Sequence, residues 1–228
     1  MVSKIINTEG WNLMEIKKCK VLGINSSPVL GGNVEHFLDY ALREAGKEEG
    51  VITEAISLRG LKIGDCLQCN WCMKNQTTDR LCAINDDALP VLKKIRECDV
   101  LILASPVYFA RLSGNMACLI DRSRCFIFGK EKPMALRGKI GIALTVGWER
   151  NGGIETTLES LHLAFLIHEM WIPSIHRAAA FFGVGAVSGP LVKGGNKLKT
   201  MDDIQTLHSA SLLVKKALKF SNLELMHC

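Results

Sequence analysis

Four cysteines carry the most specific chemistry in this sequence. Cys66, Cys69 and Cys72 stand at Cys-x2-Cys-x2-Cys spacing, and Cys82 follows after nine further residues. Thiolates three residues apart can wrap one small inorganic centre in a compact loop, with a fourth supplied from the end of a short excursion. Bacterial-type iron–sulfur proteins use compact runs of this kind. Structural zinc sites usually place two Cys-x2-Cys or Cys/His pairs far apart. The spacing therefore favours an iron–sulfur cluster, with zinc and four free thiols as the alternatives. Disulfides are disfavoured, because the start of the chain lacks the apolar core and small-residue cleavage site of a signal peptide.

Three further stretches could hold a ligand. Lys20–Asn25 reads as a buried strand running into Ser26-Ser27-Pro28-Val29-Leu30-Gly31-Gly32-Asn33, and Val34, Phe37, Leu38, Ala41 and Ala45 then fall at helical spacing. A glycine-rich turn between strand and helix can point backbone amides and the positive helix end at a phosphate. Ser26 and Ser27 add hydroxyls, and Asn33 can cap or donate. The turn matches neither Gly-x-Gly-x-x-Gly nor a Walker loop, so a monophosphate such as that of flavin mononucleotide is the natural guest. An ordinary capped turn is the structural alternative. Asp99–Ser105 is a near-continuous apolar run, as expected of a central parallel strand, and opens into Pro106-Val107-Tyr108-Phe109. This segment can offer amides and a flat surface to a planar ring, or simply pack on the next helix. Lys139–Val146 is another strand, ending in a polar loop through Gly147, Trp148, Gly152 and Gly153. Amides at Thr145, Val146 and Gly147 could tune a ring that Tyr108 and Trp148 stack on or flank.

These segments need a scaffold. Val51–Leu58 alternates as a strand, and the cysteine loop leaves its carboxyl end. Helices are expected from Asn85-Asp86-Asp87 to Cys98, from Ser113 through Phe128, after Gly153, and over 202–220. A fifth strand is expected near Ala178–Phe182, with a glycine-rich loop over 183–195. Strands alternating with helices imply an α/β doubly wound parallel sheet. In the flavodoxin-like order 2-1-3-4-5 the first, third and fourth strands are neighbours, so one crevice can collect all three loops. Residues 1–19 are expected to form an arm, 20–220 the domain with its cysteine loop at 64–85, and 221–228 a tail. His36, His162 and His168 lie in helical patterns without ligand-spaced partners and read as structural or exposed. Cys19, Cys98, Cys118, Cys125 and Cys228 read as packed or incidental thiols.

Length and composition fit this reading. The 228 residues suit one α/β domain, and 48% hydrophobic with 22% charged residues is the balance of a soluble globular chain. The formal charge of +5 is scattered, without a basic block interleaved with aromatics, which argues against nucleic-acid binding. No apolar run is long enough to span a membrane. Nine cysteines without a targeting signal suggest a reducing cytoplasm.

Asn25-Ser26-Ser27-Pro28-x3-Gly32-Asn33, the cysteine run, Ser105-Pro106-Val107-Tyr108-Phe109 and Gly152-Gly153-x-Glu155-Thr156 stand in an order that resembles the iron–sulfur flavoproteins of the NAD(P)H-dependent FMN reductase group. The resemblance spans about residues 20–218. It implies a flavodoxin-like fold, noncovalent FMN and a [4Fe–4S] cluster on Cys66, Cys69, Cys72 and Cys82. It also implies a homodimer or homotetramer that takes electrons from ferredoxin or a similar donor, or from NAD(P)H, and passes them to a small molecule or second carrier. A reductase without a cluster and a zinc-stabilised binding module are the alternative readings. No acid–base catalytic residue is assigned. The gap before Cys82 is longer than such proteins usually have.

Overall fold

The computed structural model describes residues 18–176, 178, 180–189 and 199–225. The elements in chain order are β1 (Cys19–Asn25), α1 (Asn33–Ala45), β2 (Val51–Ser57), α2 (Trp71–Asn75), α3 (Ala88–Glu97), β3 (Val100–Pro106), α4 (Gly114–Arg122), α5 (Arg124–Ile127), β4 (Ile140–Gly147), α6 (Ile154–Ile167), β5 (Val184–Val187) and α7 (Ile204–Leu225), the last preceded by a 3-10 turn at Lys199–Asp202. All strand pairs are parallel, and the order is β2-β1-β3-β4-β5.

Every residue of β3 and of β4 is buried, because helices cover both faces of the sheet. The period-2 alternation of side chains assigns each residue to one of two cores. Leu101 and Leu103 join Leu22, Ile24 and Ala143 on the face packed by α3, α4, α5 and α6. Ile102 and Ala104 join Val21, Ile142 and Leu144 on the face packed by α1 and α7. Glycine sets how closely one helix approaches. A Cβ on Gly141 would stand 2.4 Å from the Phe165 ring of α6. Burying a ring of that size contributes roughly 2–3 kcal/mol.

Three expectations about elements change. The fifth strand lies at Val184–Val187, beyond the apolar stretch Ala178–Phe182. Ile175 and Ala180 instead form an isolated antiparallel bridge, and Phe181 and Phe182 are exposed. The glycine-rich loop expected from 183 therefore contains the strand itself, and residues 190–195 lie outside the described ones. The helix expected over 113–128 breaks at Ser123, whose hydroxyl donates to the Ile120 carbonyl and meets His168 Nε2 at 2.7 Å. The last helix runs to Leu225, past its expected end at 220. The arm expected at 1–19 lies outside the described residues as far as residue 17, and so does Cys228. Among the described residues no helix is long and apolar enough to cross a membrane.

Candidate functional site

The chain first steps sideways from β1 to β2, then crosses back to β3, β4 and β5. The segments leaving β1 and β3 therefore diverge at their carboxyl ends, which is where an open α/β sheet forms its crevice.

After β1, the loop is held by its own polar groups. Asn25 Oδ1 accepts from the Ser27 amide at 2.8 Å, and Ser27 Oγ accepts from the Val29 amide. Ser26 Oγ donates to the Ala104 carbonyl and accepts from Ser113 Oγ at 2.8 Å, tying this loop to the start of α4. Gly31 takes a left-handed φ of +59°, which favours glycine. Gly32 is the N-cap of α1 and, lacking a side chain, leaves the first-turn amides without a side-chain cap. The Gly31 amide donates to the Glu35 carboxylate at 2.8 Å. A carboxylate resting there marks an anion-accepting position. Asn25 Nδ2 is buried without a hydrogen-bond partner. Asn33 is turned elsewhere, its Oδ1 accepting from the Thr200 amide. Pro28 is exposed, whereas the Val34 side chain is part of the core, so only its backbone can serve a ligand.

After β3, Tyr108 and Arg111 exchange backbone hydrogen bonds of 2.8 and 3.1 Å across a tight turn. Phe109 and Ala110 form its tip with φ of 49° and 58°, the left-handed pair such a two-residue turn requires. Phe109 is fully exposed and Tyr108 partly so. Pro106 pairs with Val146 inside the sheet, and Val107 donates to the Val146 carbonyl. After β4, Gly153 (φ +106°) sits so close to the turn that a Cβ there would come within 2.3 Å of Ala110 Cα. Thr156 Oγ1 donates to the Ala110 carbonyl at 2.6 Å, so the two loops are locked together. A Cβ on Gly152 would stand 3.1 Å from the Glu149 carbonyl oxygen. Trp148 is exposed beside Gly147. The side chains of Thr145 and Val146 are buried, and the Thr145 hydroxyl donates to the Ser105 carbonyl, leaving backbone groups as their possible contribution.

The cysteine loop leaves β2 at Leu58, which is wholly buried and donates to the Asn25 carbonyl. Its two ends are zipped together: Lys62 N donates to the Asp87 carboxylate and Gly64 N to Asp86 Oδ2 at 2.9 Å. Between them the chain winds through left-handed residues Gln68 and Asn70 into the short α2, which carries Cys72. The nine-residue gap closes by that turn of helix and a reverse turn in which Thr77 and Arg80 bond each other. Leu81, wholly buried, anchors the return. Gln76 Nε2 donates to the carbonyls of Leu81 and Cys125, fastening the excursion to α5.

The outcome is one cavity lined by Cys66, Cys69, Cys72 and Cys82, of about 330 Å³ including its open mouth. No three His, Cys, Asp or Glu side chains among the described residues converge on a single ion position. Burial and then the neighbouring charges of Cys82 and Cys66 push the Cys72 thiol up, as expected where thiols crowd together.

Two contributors escape sequence reasoning. Arg122 of α4, with a wholly buried side chain, meets Asp86 at 2.6 Å and donates to the carbonyls of Gly64 and Ile84. Cys125, read as packed, lines the same cavity, and burial pushes its thiol up to about 12. His162 and His168 are structural: burial lowers both, His168 to about 4, so both stay neutral near pH 7. Cys19 and Cys98 are packed thiols and Cys118 is half-buried.

A parallel sheet in the order β2-β1-β3-β4-β5 with helices on both faces, and a cysteine-lined cavity in the loop that leaves β2, defines a flavodoxin-like α/β protein. Residues 19–182 match the NADPH-dependent FMN reductase family, and the chain belongs to that family as a flavin-dependent oxidoreductase. It is 42% identical over 164 residues to an iron–sulfur flavoprotein of Methanocaldococcus jannaschii, covering 72% of this chain and 80% of that one. An iron–sulfur flavoprotein of Methanosarcina thermophila is 36% identical over 151 residues, covering 66% and 75%. In three dimensions the chain is similar to RosB bound to 8-demethyl-8-formylriboflavin-5'-phosphate, with a TM-score of 0.70 over 91% of this chain and 81% of that one. At 17% identity that likeness shows the fold.

Proposed function

We propose that the crevice holds FMN and the cysteine cavity a [4Fe–4S] cluster. In this reading the protein transfers electrons between a one-electron donor such as ferredoxin and a two-electron acceptor. The observation that carries it is the enclosure of one cavity by Cys66, Cys69, Cys72 and Cys82. The relatives' names, iron–sulfur flavoprotein, point the same way.

FMN would supply one- and two-electron chemistry and the cluster single-electron transfer, so the protein's own task is binding, position and electrostatics. The uncapped amides of α1 and the Ser27 hydroxyl bind the phosphate, in competition with Glu35. Ser26 holds the loop in shape through Ala104 and Ser113. The buried Asn25 amide group offers an unused donor at the same end of the sheet. Tyr108 and Trp148 screen the ring from water. The chain shows no dinucleotide fingerprint, so the monophosphate is preferred over FAD, and a nicotinamide donor would bind transiently over the flavin. An apolar outer face formed by Leu163, Leu166 and Ile167 of α6 with Trp171, all more than half exposed, fits assembly as a homodimer or homotetramer. Reduced cysteines fit a cytoplasmic setting.

Anaerobic purification from an iron-replete host tests the reading. Flavin bands with a broad iron–sulfur shoulder, FMN released by heating, and iron with acid-labile sulfide support it. Flavin bands without iron support the plain reductase, and a colourless protein with stoichiometric zinc overturns the electron-transfer reading. A monomer mass by light scattering at micromolar concentration overturns the assembly.

A further inference from the structure

Four thiolates outweigh the positive charge of an iron–sulfur core, so a cluster in this cavity is an anion, and each electron it takes makes it more so. A buried anion needs compensation from fixed cations or dipoles. Two guanidinium groups line the cysteine cavity, those of Arg122 and Arg124. Each carries a buried Nε–H without a hydrogen-bond partner among the described residues. A buried donor left unmatched is costly and calls for a partner. Other donors of both groups are engaged. Arg122 holds Asp86, Gly64 and Ile84, while Arg124 Nη2 donates to Asn70 Oδ1 at 2.8 Å and the group lies 4.5 Å over the Phe128 ring. These contacts fix both cations against the cavity wall.

We propose that Arg122 and Arg124 are tuning residues of the cysteine site, their cationic groups and free Nε–H donors holding an anionic cluster and favouring its reduced state. The inference rests on the proposed cluster. Reduction adds one electron, supplied by dithionite in a titration, and neither forms nor breaks a bond. The added negative charge is stabilised by nearby cations, and hydrogen bonds to the sulfurs are among the levers that set the potential. Arg124 is the cleaner test, since Arg122 also closes the loop.

The experiment is an anaerobic redox titration of the purified holoprotein followed by EPR, with iron, sulfide and FMN counted in the same samples. Arg124→Gln is expected to keep its iron and FMN and to lower the reduction equilibrium constant at least tenfold, a shift of 59 mV to more negative potential for one electron. Arg124→Lys, which keeps the charge and loses the planar group, is expected to shift less. A full iron content with an unchanged potential in both variants overturns the inference and leaves the cluster standing. Loss of iron from Arg124→Gln that Arg124→Lys restores supports it, because charge is what the two variants differ in. Wild-type protein without iron overturns the cluster reading and the inference with it.

Discussion

Arg122 and Asp86 meet at 2.6 Å, with the arginine side chain wholly buried and the aspartate nearly so. The pair joins α4 to both ends of the cysteine loop, because Asp86 Oδ2 also accepts from Gly64 N and Oδ1 from Ala88 N. Removing one partner leaves a buried charge uncompensated, which costs about 3–5 kcal/mol. Asp86→Ala is therefore expected to lower stability by that order in urea denaturation and to reduce the iron bound. An unchanged midpoint would refute the role of the pair.

The same pair predicts an acid dependence. Burial works against the Asp86 charge, but the Arg122 hydrogen bond and the Gly64 amide outweigh it and hold the carboxyl below its ordinary value of 3.8. A depressed folded pKa means the stabilisation is fully present above 3.8 and is lost as pH falls through the folded value. Wild-type stability should decline more steeply below pH 4 than that of Asp86→Asn. Parallel curves in denaturation at graded pH would count against it.

Gly153 is expected to be intolerant of any side chain. Its φ of +106° strains other residues, and a Cβ would strike the Ala110 backbone. Strain of this kind costs on the order of 1–3 kcal/mol. Gly153→Ala should part the two loops and weaken FMN binding by about tenfold or more, read by flavin fluorescence, with cysteine-bound iron unchanged. Gly32→Val should act likewise, because a Cβ there already stands 3.0–3.2 Å from Val29. Wild-type FMN affinity in both variants would show that the crevice lies elsewhere.

The sheet order and the placing of four cysteines around one cavity were legible, from alternating buried strands and helical spacing and from Cys-x2-Cys steps. What stayed hidden depends on tertiary partners. Val184–Val187 contains Gly185 and is short, so it looked like loop, yet Gly185 is required where Ile154 would meet a Cβ at 2.2 Å. Phe181 and Phe182 looked like strand from hydrophobicity and are exposed. At the break, Ser123 contacts His168, distant in sequence. Arg122 and Cys125 reach the cysteine cavity only because α4 and α5 fold back onto a loop that leaves β2, a contact no spacing rule encodes.

The cysteines give the sharpest test, since five now line one cavity. Cys69→Ser should lose most of the iron and keep FMN, because the phosphate loop follows β1 and the cysteines follow β2. Cys98→Ser should keep both centres: its buried thiol, raised to about 12 by burial, donates to the Ile95 carbonyl away from the cavity. The discriminating pair is Cys82 and Cys125. Leu81 and Gln76 bring Cys82 back to the cavity on a flexible-length excursion, whereas Cys125 sits buried on α5 with its carbonyl fixed by Gln76. A ligand must reach the cluster with its sulfur, and Cys82, partly exposed beside Arg122, is placed to do so without disturbing the core. Cys82→Ser is expected to lose the [4Fe–4S] EPR signal and most of the iron, and Cys125→Ser to keep both. The reverse pattern, a full signal in Cys82→Ser and none in Cys125→Ser, would make the buried thiol of α5 the fourth ligand and leave the excursion a purely structural strap.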